Sequence, residues 1–414
     1  MMMKRYRRTA LSQYITVVLV FVLIIGFGIL GFLSMTHIRH FDAFAIPWAA
    51  GRGWLLEGVS PYELSVIDIA YSAVDDSPFL AQLQTQQLFS QPLFSLVFYL
   101  PLSLLPYTLA RSIWTAILAF CVALIGYFSI KLSGWQINRL GMFCVAIFLI
   151  FSLPGAIAVL GGDISPMIIV LLLFSIFLIQ SNQDTPAGFL LVLASSSFLI
   201  SGLVVMTLLI WAIVKKRWSI IASFFSGVVF LVIISFLVQP LWFEGWISVL
   251  IKLNFNWSWV RTPLMDLAAF LPGIAKHLSI FLHGLFGVFA IRILITLLVE
   301  SDRVFIYAIA SMLSLAYFLH IRASTVNTLL IVPSLIFVTR YWSERWKRSG
   351  ALISWVFLAA SGVGSWLLVY PEIDLTNTMN MSWVFIVYSL AVLSGMIWIR
   401  WWALGLPKLP YESL

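Results

Sequence analysis

The stretch His37-Ile38-Arg39-His40-Phe41-Asp42 puts two imidazoles, a guanidinium and a carboxylate into six residues, directly behind a long apolar run. A carboxylate in that position can take a proton from a hydroxyl as a general base, and its cationic neighbours can grip an anion. The plainer reading is an interfacial acid, Asp42, paired with Arg39. A second acid, Asp163, follows Gly161-Gly162. It either orients a reactant, holds a metal, or caps the helix that begins near Ser165. Four further groups, His320, Arg322, Arg261 and Lys276, stand at loop positions or helix ends. Arg322 is equally well placed to snorkel from a helix end into water. No Asp-x-Asp occurs and no His/acid pair has ligand spacing, so neither metal nor cofactor is expected.

These residues are held by a chain that water cannot solvate. It is 62% hydrophobic and 10% charged, against about 45–50% and 25% in soluble domains. Apolar runs of helix-spanning length recur throughout, and ten-residue alternation is absent. The fold class expected is therefore an all-α integral membrane protein with about twelve transmembrane helices. The spans fall near 14–33, 110–130, 140–160, 165–180, a tight hairpin of two short helices over 186–214, 218–239, 278–299, 303–320, 325–341, 351–369 and 382–402. Lys4, Arg5, Arg7 and Arg8 precede the first span, whose apolar run is too long for a cleaved signal, so it is read as a signal anchor. The proline-bounded piece 92–106 is too short to cross and is expected to lie along the interface.

Orientation follows from charge. With the N-terminus inside, sixteen Lys/Arg face the cytoplasm, including Lys131, Lys215, Lys216, Arg217, Arg340 and Arg400. Seven face outward, Arg111 among them, as the positive-inside rule requires. All five histidines and eleven of the sixteen acids then lie outside, which is where chemistry is expected, although loops also collect polar residues that spans exclude. The net charge of +8 sits in clusters beside spans and does not indicate nucleic acid. Cys121 and Cys144 fall inside spans and read as packing residues. The chain reads as one polytopic domain: 1–13 cytoplasmic, 34–109 a long first extracytoplasmic loop with interfacial helices, 110–239 spans two to seven, 240–277 a second outer loop, and 278–414 spans eight to twelve with a cytoplasmic tail.

The first loop continues Ala49-Ala50-Gly51-Arg52-Gly53-Trp54-Leu55-Leu56-Glu57-Gly58-Val59-Ser60-Pro61-Tyr62. An acid just past the first span, a small-residue helix and Leu-Leu-x-Gly-x-x-Pro-Tyr together resemble glycosyltransferase family 87, within the GT-C superfamily of polytopic lipid-linked-sugar transferases. Gln91-Pro92-Leu93-Phe94, Ala110-Arg111-Ser112-Ile113-Trp114, Gly161-Gly162-Asp163-Ile164-Ser165, Pro186-Ala187-Gly188-Phe189-Leu190 and Lys215-Lys216-Arg217-Trp218 extend the likeness over about 14–220, in matching order. Two departures stand out. Gln91 replaces one proline of a usual pair, and no lysine occurs around Ser201.

The resemblance implies a hexosyltransferase, often for mannose. It would move the sugar from a polyprenyl-phosphate donor to a lipid or glycan hydroxyl on the extracytoplasmic face of a multi-pass cell-membrane protein. A phosphate lipid leaves without an acid, so one carboxylate suffices. On this reading Asp42 is the base, and Arg322, His320, His40, Arg39, Arg261, Lys276, Tyr62 and Asp163 bind the donor phosphate or substrate. Trp242, Trp246, Trp257 and Trp259 either stack on sugar rings or anchor the interface. The partners expected are membrane lipids, the lipid-linked sugar and the acceptor. The rivals are a non-enzymatic lipid or solute transporter, for which no repeat between halves is visible, and a degenerate, non-catalytic relative.

Overall fold

Backbone groups in lipid must bond within the chain, so apolar runs become helices. The computed structural model describes residues 26, 29, 40–75, 81–82, 88–254, 262–300, 304–319, 325–369 and 382–404. Nearly all of the first expected span lies outside them, as do His37, Arg39, Arg261, His320 and Arg322. Among the described residues, five helical stretches are long and apolar enough to cross a membrane by length and composition: Tyr107–Ser133, Asp184–Val214 counted through its turn at Ser195–Ser197, Trp218–Val238, Pro272–Val299 and Phe385–Trp402. The chain is a multi-pass, helical membrane protein. Its described strands are a two-residue parallel pairing of β1 (His40–Phe41) with β2 (Ala81–Gln82).

The loop after the first span folds into α1 (Ala45–Arg52), which runs into a wide turn at Gly53–Glu57, and α2 (Ser65–Asp75) packed against it. The piece 92–106 forms no crossing. It is a 3-10 helix, Leu93–Phe98, followed by the single-turn α3 (Leu100–Ser103), pinned to α1 where Trp48 Nε1 donates to Leu105 O at 3.3 Å.

α4 (Tyr107–Ser133) is the axis of the bundle. It packs against α5 (Arg139–Phe151), α7 (Ser165–Gln180) and α15 (Val332–Arg345). The expected span over 140–160 is broken. α5 ends at Ser152, and α6 (Leu153–Gly161) leaves at 64° to it. Pro154 has no N–H to continue the ladder, and Ser152 recaps the new helix by accepting from Gly155 N.

The stretch 184–214 also departs from a straight span. As one helix it would be about 46 Å long. Yet Arg217 Nε donates to Asp184 Oδ2 at 2.9 Å and Arg217 Nη1 to Ile179 O at 3.0 Å, so its two ends meet. α8 (Asp184–Ala194) and α9 (Phe198–Val214) are therefore the two arms of a hairpin turned at Ser195–Ser197, in keeping with the sequence expectation. Gly188 lets α8 close on α10 (Trp218–Val238), because a Cβ there would strike Ser223.

α11 (Trp242–Asn254) folds back over the first loop, where Gln239 Nε2 donates to Ser60 Oγ at 2.8 Å and Trp246 Nε1 to Ser90 O at 3.0 Å. α12 (Pro263–Ala268) precedes the largely lipid-facing α13 (Ala275–Val299). α14 (Phe305–Leu319), a 3-10 helix Thr325–Ile331, α15, α16 (Lys347–Val369) and α17 (Ser382–Trp402) complete the bundle. One end of the bundle is tied by charges: Arg340 to Ser133 O, Arg400 to Glu300, Lys215 Nζ to Glu300 O and Arg217 to Asp184. The other end holds Asp42, Asp163 and the first loop.

Candidate active site

Asp42 lies two residues before α1 and accepts from Phe44 N at 2.8 Å through Oδ1. Its Oδ2 accepts from Arg111 Nε at 2.8 Å and from the Tyr107 hydroxyl. Tyr107, Arg111 and Thr115 are spaced four apart, so α4 presents them on one face. Arg111 Nη1 donates to Thr115 Oγ1 at 2.8 Å, and Nη2 to Leu160 O. Asp42 is 3% and Arg111 0% exposed. Asp42, read from the sequence as a base or as an interfacial acid, is in a buried ion pair with Arg111. The physical reason is that neither charge can leave water unpaired. Arg111, counted among outer cations from its place near a span end, points into the bundle.

This pair carries a turn. Leu160 ends α6 in its grip, Ala43 N donates to Gly161 O at 2.8 Å, and Trp114 Nε1 donates to Gly162 O at 2.9 Å. Gly162 has φ +71°, and a Cβ there would meet Arg111 and Phe44 at 3.0 Å. Three consecutive residues are therefore fixed by Ala43, just before α1, and by groups of α4, and the next residue is Asp163. Phe44, Tyr99 and Trp114 stack beneath it, with centroids 5.1–6.1 Å apart.

Asp163 is half-buried. Its Oδ1 accepts from Ser165 N at 2.7 Å and from Ser165 Oγ, capping α7 as one sequence reading expected. Its Oδ2 takes no hydrogen bond among the described residues. Ser165 Oγ also lies 3.4 Å from Asn327 Oδ1, which brings the 3-10 helix Thr325–Ile331 to the site. Burial, and then the Asp163 charge, hold the Tyr99 phenol above its usual range, with Gln91 acting in the opposite sense. Tyr99 thus stays a neutral donor beside Asp163. Gln91 Oε1 is buried without a partner.

The other sequence candidates are scattered. Tyr62 is buried, with its hydroxyl donating to Gln91 O at 3.0 Å and Gly245 of α11 against its ring. It braces the loop, and burial raises its phenol. Lys276 is exposed at the start of α13, with no contact joining it to Asp42 or Asp163. His40 is described only through its backbone pairing with Ala81. Tyr99, Tyr107 and Asn327 were not singled out from sequence. The four-residue spacing of Tyr107, Arg111 and Thr115 is a signal for Tyr107; nothing comparable in the sequence points to Tyr99 or Asn327.

Residues 89–263 match the family model of glycosyltransferase family 87, which bears out the resemblance and indicates a glycosyltransferase. The matched segment contains Gln91, Tyr99, Arg111 and Asp163, while Asp42 precedes it. No curated protein and no solved structure matches the chain in the other two comparisons.

Proposed function

We propose that this protein moves a hexose, with mannose the first to test, from a polyprenyl-phosphate sugar to a lipid or glycan hydroxyl at the extracytoplasmic face of the cell membrane. The observation that carries the reading is the Gly161–Gly162–Asp163 turn, clamped by a buried Asp42–Arg111 pair while Asp163 keeps one carboxylate oxygen uncommitted among the described residues. A base must be fixed yet accessible, and of the two acids only Asp163 is both. In the reaction Asp163 Oδ2 takes the acceptor hydroxyl proton. The acceptor oxygen bonds to the anomeric carbon as the bond to the phosphate oxygen breaks, and the lipid phosphate leaves with the electron pair.

Asp42 becomes a positioning residue rather than the base. Arg322 and His320, a few residues before Asn327 in the chain, are the cations we assign to the phosphate, with Arg261 second. The gathering of Lys215, Arg217, Arg340 and Arg400 at the opposite end supports a cytoplasmic placement of that end. The testing experiment is transfer of radiolabelled mannose from a polyprenyl-phosphate donor by purified protein. Loss of transfer in Asp163→Asn at unchanged folding supports the assignment, and full activity in that variant sinks it.

The transporter reading gains one observation, the broken span at Ser152, since interrupted helices are a transporter feature. Movement of a solute or lipid across sealed vesicles without any sugar transfer would favour it.

A further inference from the structure

α15 and α17 end together at the charge-tied end of the bundle, and α16 starts there. The turn from α15 into α16 is a single residue, Trp346, whose N–H donates to Trp342 O at 3.2 Å, and a Cβ at Gly350 would strike that same carbonyl. The turn sets three indoles in a row. Trp346 lies 6.3 Å from Trp398, and Trp398 lies 5.2 Å from Trp402, centroid to centroid, with interplanar angles of 27° and 17°. The Arg345 guanidinium sits over the last two rings, 4.0 Å from the Trp402 centroid and 5.2 Å from that of Trp398. Three other arginines of this end give their charge to carboxylates: Arg340 to Glu344, Arg400 to Glu300 and Arg217 to Asp184. Arg345 has no carboxylate partner among the described residues, and it is exposed. A guanidinium stacked on rings offers them its face and keeps its N–H edge for an anion. Lys347 and Arg348 follow it in the chain.

The surface beside the cluster selects the kind of anion. Leu352, Ile353 and Val356, in the first three turns of α16, are exposed, as is Ile397, one turn before Trp401 on α17. Trp401 itself is 81% exposed. Toward this end of the bundle the order is apolar side chains open to lipid, then indoles, then cations. Indoles settle at the level of the lipid headgroups, so the free edge of Arg345 stands at phosphate depth with acyl-chain surface next to it. A free anion would use the cation without the apolar rows, and an uncharged lipid would use the rows without the cation. A phospholipid of net negative charge uses both.

We propose that Arg345, carried on the Trp398 and Trp402 rings, binds the headgroup phosphate of an anionic phospholipid in the leaflet at this end, with the exposed faces of α16 and α17 holding its chains. The inference uses the membrane-spanning fold and stands apart from the transferase reading.

The test is photo-crosslinking of the full-length protein in nanodiscs of equal phosphatidylglycerol and phosphatidylcholine content, with a diazirine in the acyl chain of one lipid and then of the other. Expected is labelling within 352–356 and 394–401 that favours phosphatidylglycerol by about fivefold for each cation engaged. Arg345→Gln should remove about fivefold of that preference. Trp402→Leu takes away the ring beneath the guanidinium and keeps the charge, so it should reduce the preference in the same direction, and it serves where Arg345→Gln does not fold. Lys252→Gln, at an exposed cation of α11 on the other end, should leave the preference unchanged. Equal labelling by the two lipids, or a preference that survives both Arg345→Gln and Trp402→Leu, overturns the proposal. Loss of phosphatidylglycerol labelling in millimolar inorganic phosphate at constant ionic strength also overturns it, because the site would then belong to the free anion.

Discussion

Two carboxylates flank the Gly161–Gly162 turn in opposite states. Asp42 has donors on both oxygens, three in all, and is sealed under α1. Asp163 spends one oxygen on the cap of α7 and leaves the other without a hydrogen bond among the described residues, at a half-buried position. A sealed, fully bonded carboxylate stabilises geometry, and a half-bonded, half-buried one can exchange protons. The comparison teaches that position in a motif does not assign chemistry. On the proposed reading, the acid that stands where a base is expected does the holding.

The comparison can be broken most sharply at Asp163. Asp163→Asn keeps the cap, since Asn caps as well as Asp, and removes the proton acceptor. Sugar transfer should fall by about 10²–10⁴-fold, with the unfolding midpoint in detergent nearly unchanged. If transfer survives, the two acids have been assigned the wrong way round.

Arg111→Met should damage the fold before the chemistry. It leaves Asp42 buried without its cation, which costs about 3–5 kcal/mol, read as a lowered thermal midpoint and reduced yield. Adding Asp42→Asn to that variant should recover part of the loss, because the orphaned charge is then gone. No recovery would mean that the pair is not the clamp described.

Gly162→Ala tests the turn itself. The residue has φ +71°, and its added carbon would press on Arg111 and Phe44, so about 1–3 kcal/mol of strain is expected, with transfer falling because Asp163 is displaced. A variant with wild-type activity and midpoint would show that the turn is not held as tightly as its contacts imply.

The smallest effect is expected at Tyr62→Phe, which loses one hydrogen bond to Gln91 O, about 0.5–1.5 kcal/mol. Transfer should stay within about twofold. A large rise in KM for the donor would instead return Tyr62 to the substrate.

Much of the helical frame was legible from hydropathy, because lipid leaves an apolar run few alternatives. The hairpin expected over 186–214 was legible from a length too long for one span and short for two, together with the Ser195-Ser196-Ser197 run and Gly202. The break at Ser152 was not read, though Pro154 announces it, because average hydropathy is blind to a missing N–H. The Asp42–Arg111 pair was invisible for a different reason. The two residues are 69 apart in sequence, and counting charges by loop treats every cation near a span end as solvated. Only the helical spacing of Tyr107, Arg111 and Thr115 hinted that the guanidinium faces inward. Asp163 was legible as a cap, but its free oxygen depends on the clamp beneath it, which no local motif encodes.

The hairpin has a consequence for how the chain enters the bilayer. α8 has 11 residues and α9 has 17, lengths of about 16 and 26 Å, and neither reaches the ~30 Å hydrocarbon thickness. Each arm alone would leave polar backbone ends in lipid. The pair therefore becomes a stable resident only after α10 has emerged, when Gly188 can seat against it and Arg217 can fasten Asp184 to the end of α7. Insertion over 165–238 is then a concerted event among four helices rather than a sequence of independent crossings. In a nascent chain halted after Val214, a cysteine replacing Phe189 should react with a water-soluble maleimide, and in one extended past Val238 it should be protected; equal protection in both would mean that the arms insert without the Arg217 fastening.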